Sequence, residues 1–238
     1  MARKLLPKEA LFLNLFDSWY GPQIKLSLVY RWGDYTDKNP KLRKQTVLQH
    51  EHSVTRLVQK ILVLLLMKLP QLNVFLLLYA FSNHDEPEGY LKRKRDKSVR
   101  KKKEEDELKE YFLFKKINKN LPKEIYVFEE YAYLLQYATK DFSFFPSEAK
   151  TILRKLRKSN LLEAKIFRFL EYWEYIFYAY ESYKMHGDKL ILTQVLRREI
   201  PKLQSFVFKI PELREVFPKI DEEWFLSFIN ENIDIPFE

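Results

Sequence analysis

The chain has 238 residues, 46% of them hydrophobic and 16% aromatic, with 4 Gly and no Cys. That composition excludes a disordered, collagen-like or disulfide-stapled protein and is enough to bury one substantial core. The net charge of +9 is local: Lys92 to Lys103 holds nine basic residues and one Asp, so the remainder is close to neutral.

The absence of cysteine rules out thiolate catalysis and Cys-ligated zinc and agrees with a reducing compartment. The longest aliphatic run, Ile61 to Met67, is closed by Lys60 and Lys68 and falls far short of the ~20 residues that cross a bilayer. The first residues lack the apolar stretch and small-residue cleavage site of a secretory leader. The expectation is a cytoplasmic protein with no membrane partner.

Residues 8–20 read as a first amphipathic helix closed by Gly21-Pro22, and residues 24–30 lead into Arg31-Trp32-Gly33. Residues 34–40 have loop composition. The next helix begins between residues 43 and 46 and reaches Leu69. Measured from His50, the residues Val47, Val54, Leu57, Val58, Ile61, Leu64 and Leu65 share one face, the pattern of a core stripe. His52 lies about 200° round the helix, so His50 is the imidazole aimed inward.

Pro70 interrupts, and residues 72–81 form a helix that delivers His84-Asp85. Pro87 disfavours helical backbone at Glu86, so this helix stops near His84, and Gly89 permits a tight change of direction. His50 and His84 are 34 residues apart, enough for a helix, a turn and an antiparallel return. Further helices are predicted over 108–117, 124–139, 147–158 and 161–184. Residues 189–238, punctuated by Pro201, Pro211, Pro218 and Pro236, read as short helices packed on the main body. No strand pattern emerges. The chain reads as all-α, with a helical domain over 1–188, a charged insertion over 91–107 and a C-terminal helical extension over 189–238.

The chemistry concentrates in His84-Asp85-Glu86-Pro87-Glu88 at the end of an apolar run. Charged groups there must be paired, hydrogen-bonded or metal-bound, because burying bare charge is costly. A divalent ion is one compensation. The alternatives are a satisfied core histidine at His50, an Asx turn at Asp85, and a solvated face for Glu171, Glu174 and Glu181. The basic block and the acids after it, Glu104 to Glu107, read as an exposed loop or solvated helix.

Taken together, Arg31-Trp32, Val47-Leu48-Gln49-His50, His84-Asp85-Glu86-Pro87-Glu88 and the stretch from Glu171 to Glu181 resemble the HD superfamily of metal-dependent phosphohydrolases, and within it the 5'-deoxynucleotidase group. The resemblance covers about residues 24–185 and implies an HD-domain helical bundle. It implies that His50, His84, Asp85 and Glu171 bind a divalent metal, that Glu88 is a catalytic acid–base group, and that Arg31 and Trp32 hold phosphate and sugar. Two positions depart from the family pattern. An Asp is usual where Glu171 stands, leaving Asp141 and Glu174 as alternative ligands, and Tyr90-Leu91 follows Gly89 where relatives carry Gly-Asp.

Imidazole ligands favour Mn, Co, Fe, Ni or Zn, with Mg as the harder alternative. The expected substrate is a nucleoside 5'-monophosphate or a related small-molecule phosphoester, and family habit points to a homodimer. The rival expectation is a degenerate HD domain that binds nucleic acid or protein through Lys92 to Lys103.

Overall fold

In the computed structural model, residues 7–32, 44–91, 102–216 and 222–237 are described. The elements in order are α1 (Pro7–Leu26), α2 (Val47–Lys68), α3 (Val74–Asn83), a 3-10 turn (Glu86–Tyr90), α4 (Glu104–Asn118), α5 (Lys123–Leu134) with a 3-10 extension (Leu135–Tyr137), α6 (Ser147–Ser159), α7 (Leu161–His186), α8 (Lys189–Lys209), α9 (Leu213–Val216) and α10 (Glu222–Glu231). The fold is all-α, with no strand or sheet among the described residues. A single antiparallel bridge ties the chain before α2 to its start. Arg31 N–H donates to Gln45 C=O at 2.8 Å, and Val47 N–H donates to Val29 C=O at 2.9 Å.

Local chemistry sets most boundaries. Thr46 opens α2 with a capping box, its hydroxyl accepting from Gln49 N–H while the Gln49 side chain accepts from Thr46 N–H. Asn73 caps α3 through Leu76 N–H, and its own N–H is taken by the buried carboxylate of Glu163 at 2.7 Å. Glu104 to Glu107, read with the basic block as an exposed loop or solvated helix, form the first turn of α4, where negative charge complements the helix dipole. Gly187, at φ +69, ends α7 in the left-handed conformation that glycine tolerates best.

Two proline positions act differently from the sequence expectation. Gly21-Pro22 does not close α1, which continues to Leu26. Nor does Pro201 break the segment after residue 189, where α8 runs unbroken for 21 residues. In α8 the buried stripe Ile191, Leu192, Val195, Leu196, Ile200, Leu203 and Val207 spans the proline, and its packing outweighs a penalty of about 3 kcal/mol. These side chains share one continuous apolar cluster with α2, α3 and α5 to α7, as do Phe225 and Phe228 of α10.

The organising element is α7, which packs against α2, α3, α6, α8 and the Leu135–Tyr137 turn. It is buried nearly all round, as expected for a helix that forms the centre of a bundle. Its Phe167 stacks on Phe81 of α3 at 4.4 Å between ring centroids, fixing the end of α3 beside the middle of α7.

On the opposite side, α1 packs on the Glu86–Tyr90 turn. Gly89 serves close approach here rather than a special turn conformation, since Gly187 is the one described glycine with positive φ. A Cβ at Gly89 would stand 2.8 Å from Lys25 Cβ and 3.0 Å from Leu26 N. Gly89→Ala is therefore expected to lower unfolding stability by about 1–3 kcal/mol through overpacking. Urea denaturation measures this, and unchanged stability would contradict the docking of α1 on the turn.

Candidate functional site

Three helices converge on one buried cluster of ionisable groups. α2 supplies His50 one turn after its cap, α3 ends at His84, and α7 supplies Glu171 and Glu174 from adjacent turns. His84 is the closing residue of α3, its N–H still bonded to Ala80 C=O, and Asp85 has already left helical geometry at φ −102, ψ 0. Pro87 starts the 3-10 turn that follows. This break lets neighbouring residues face the same point, which a continuous helix forbids.

The distances define the cluster. Glu171 Oε1 lies 3.3 Å from His50 Nε2 and 3.3 Å from His84 Nε2. Asp85 Oδ2 lies 3.2 Å from His84 Nε2 and 3.8 Å from His50 Nε2. One ligand atom from each of His50, His84 and Asp85 falls within 4.8 Å of the others. Glu171 is not one of those three but approaches both imidazoles equally. Atoms bonded at about 2.1 Å to one ion stand roughly 3.0–3.5 Å apart in octahedral or tetrahedral geometry. His50, His84 and Asp85 could hold a divalent ion, with the 3.8 Å between His50 and Asp85 lying above that range.

Hydrogen bonding strengthens that fit. His50 Nε2, His84 Nε2 and Glu171 Oε1 are all buried, and none has an aligned hydrogen-bond partner. Such orphaned groups are costly unless something satisfies them. The far side of His84 is satisfied: Nδ1 meets Phe81 C=O at 3.0 Å, and because a carbonyl only accepts, Nδ1 carries the proton. That tautomer leaves the Nε2 lone pair for a ligand. Gln136 fixes the same residue from outside by donating to His84 C=O at 3.1 Å.

His50 is backed by a chain of polar groups. Its Nδ1 lies 2.9 Å from Glu174 Oε2, close but outside good hydrogen-bond alignment. Glu174 Oε1 accepts from the Gln45 side chain at 2.7 Å, and Gln45 Oε1 accepts from Trp32 Nε1 at 2.8 Å. Arg31 approaches Glu174 Oε2 at 3.7 Å. Glu174, one of the alternative ligands from sequence, thus backs the histidine. Asp141, the other alternative, is exposed and bonded to Ser143.

The electrostatics favour positive charge at the imidazole nitrogens. Burial lowers the pKa of His50 and Arg31 pulls the same way, yet Glu174 and Glu171 outweigh both and leave it raised. Burial likewise lowers His84, but Asp85 and Glu171 lift it well above its ordinary value. Conversely, burial raises Asp85, Glu171 and Glu174, and the imidazoles bring all three carboxyls below their usual range. The carboxylates that raise both histidines also attract a divalent cation.

The cluster opens into a cleft whose lining includes Arg31, His84, Asp85, Glu88 and Glu171. Glu88 is buried and paired with Lys102, which also reaches Glu110 at 3.2 Å. Lys102 belongs to the basic block by sequence, yet it turns into the site with a side chain only 13% exposed. Residues 92–101 of that block lie outside the described residues, and Lys103 directly precedes α4.

Trp32 stands apart from the cleft lining. It adopts φ 60, stacks on Tyr178 at 4.7 Å and bonds Gln45, which fixes the backbone beside Arg31. His52 is exposed, as its helical angle from His50 requires.

Gln45, Glu110, Lys102 and Glu51 are site residues that periodicity does not single out. Glu51 is buried beside His84 and Asp85, and burial pushes its carboxyl well above the usual range. Gln45 and Glu110 carry no sequence signal, because a lone amide or acid next to a helix is ordinary.

Comparison of the chain with protein-family models, curated proteins and solved structures finds no match.

The Trp32–Gln45–Glu174 chain gives a direct test of this geometry. Gln45→Ala leaves a buried carboxylate oxygen and an indole N–H without their partner. The expected loss is about 1–3 kcal/mol of unfolding stability. Denaturation of the purified variant measures it, and an unchanged midpoint would contradict the network.

Proposed function

We propose that the protein is an HD-type metal-dependent phosphohydrolase acting on nucleoside 5'-monophosphates or a related phosphoester, with its ion held by His50, His84, Asp85 and Glu171. The observation that carries this reading is the convergence of two buried imidazole nitrogens on one carboxylate oxygen, each 3.3 Å away and none in an aligned hydrogen bond. It is supported by the order of Arg31-Trp32, His50, His84-Asp85, Glu88 and Glu171 along the chain, which resembles the HD superfamily. With two nitrogen ligands, Mn, Co, Fe, Ni or Zn suits the site better than Mg.

A divalent ion held there supplies a nucleophile at neutral pH and neutralises phosphate charge. The chain's own groups divide the remaining work. Arg31, buried at the cleft wall, presents a planar fork to phosphate oxygens while Glu174 holds its position. Glu88 takes the proton from the attacking water as its oxygen bonds to phosphorus, then returns it to the leaving oxygen as the ester P–O bond breaks. Lys102 orients that carboxylate from the cleft wall. Glu174 and Phe81 C=O hold the two imidazoles from behind.

Two measurements test the reading. Calorimetric titration of metal-stripped protein with Mn, Co or Zn is expected to show one site, lost in His84→Ala and weakened about 10–100-fold in Glu174→Gln. Cation-dependent phosphate release from a panel of nucleoside monophosphates is expected to vanish in His84→Ala. In Glu88→Gln it should fall about 10²–10⁴-fold with metal binding retained. Hydrolysis that survives in His84→Ala would overturn the assignment.

A further inference from the structure

Four cations line the cleft: Arg31, Lys102, Lys140 and Arg168. Three of them have carboxylate partners, Arg31 with Glu174, Lys102 with Glu88 and Glu110, and Lys140 with Glu107 at 2.7 Å. Arg168 has no ion pair among the described residues. Its guanidinium makes a long 3.4 Å contact to Tyr172 Oη and lies over that ring at 5.4 Å.

Position makes the difference meaningful. Arg168 stands one turn before Glu171 on α7, so it borders the metal-ligand cluster directly. Lys140 lines the same cleft from just after the 3-10 extension of α5. Burial lowers the Lys140 pKa, and the next largest cause is the positive charge of Arg168. The two cations repel each other; Glu107 pairs with Lys140, while Glu171 attracts Arg168 without forming an ion pair with it. An anion placed between them relieves that repulsion and gains a bidentate guanidinium contact.

The reacting phosphate already has Arg31 and the ion, so Arg168 and Lys140 are left for another group. Resting on the phosphohydrolase reading above, we propose that Arg168 and Lys140 form a second phosphate subsite, and that the preferred substrate carries a second phosphate beside the one hydrolysed. The shared chemistry is a nucleotide with two phosphates in reach of one cleft. The second can be joined through an anhydride, as in a nucleoside 5'-diphosphate, or carried on the sugar, as in a nucleoside 3',5'-bisphosphate.

The test is equilibrium binding to metal-stripped full-length protein, which needs neither ion nor turnover. Adenosine 5'-monophosphate, 5'-diphosphate and 3',5'-bisphosphate are titrated against wild type, Arg168→Gln, Arg168→Lys and Lys140→Gln. At least one doubly phosphorylated nucleotide is expected to bind about 10-fold tighter than the monophosphate, the size of one charge-assisted contact. Whichever of the two shows the preference identifies the arrangement of the phosphates.

Arg168→Gln should erase the preference while leaving monophosphate binding within about 2-fold, with Arg168→Lys retaining part of it. Lys140→Gln should weaken it several-fold, and this variant carries the test if Arg168→Gln loses its helical circular dichroism. Equal binding of all three nucleotides by wild type would overturn the subsite, as would a preference that survives in the folded variants. A preference without cation-dependent hydrolysis would keep the subsite and overturn the hydrolase reading, whereas hydrolysis without a preference would do the reverse.

Discussion

The structure depends on one electrostatic constraint, the compensation of three carboxylates and two imidazoles buried where α2, α3 and α7 meet. Each group alone would oppose burial in that position. Together they balance, because Glu171 and Asp85 face the Nε2 atoms, Glu174 faces His50 from behind, and Arg31 with Gln45 holds Glu174. Glu171 Oε1 stands 3.3 Å from both His50 Nε2 and His84 Nε2, and none of these three atoms has an aligned hydrogen bond. Their convergence distinguishes a prepared site from a few badly buried side chains.

The surrounding fold holds that balance in place. α7 is buried nearly all round and sets Glu171 and Glu174 at the centre of the bundle, with the Phe81–Phe167 stack locking α3 against it. The turn carrying Glu88 is clamped from outside by α1, at a distance that only Gly89 allows. Rigidity on both sides matters for the proposed chemistry, since acid–base and phosphate-binding groups act only when held within a fraction of an ångström of the productive position. The pairing of Arg31 with Gln45 through the backbone brings a residue from before α2 to the same wall.

Much of this was legible in the sequence where a physical rule connects residues close along the chain. Helical spacing separated His50 from His52, and Pro87 marked where α3 must end. Glu171 was legible only through its place in a family-like order, since an acid on an aromatic helix more often faces water. The division of labour between Glu171 and Glu174 depends on how α7 is rotated against α2, which no single-chain pattern fixes.

Lys102 was hidden inside a run of like charges, where composition predicts a solvated segment. Its ion pairs with Glu88 and Glu110 come from tertiary packing. Gly21-Pro22 and Pro201 misled for the same reason, because local breaking signals were overridden by contacts made at a distance.

X-ray absorption on protein loaded with one equivalent of Co(II) tests the proposed metal centre most directly. The arrangement of His50, His84, Asp85 and Glu171 predicts stoichiometric cobalt with two imidazole nitrogens and carboxylate oxygens around it. His50→Ala and His84→Ala should each remove one imidazole or the metal itself. Cobalt that fails to bind, or binds with no imidazole in its shell, would contradict the centre on which the proposed chemistry stands.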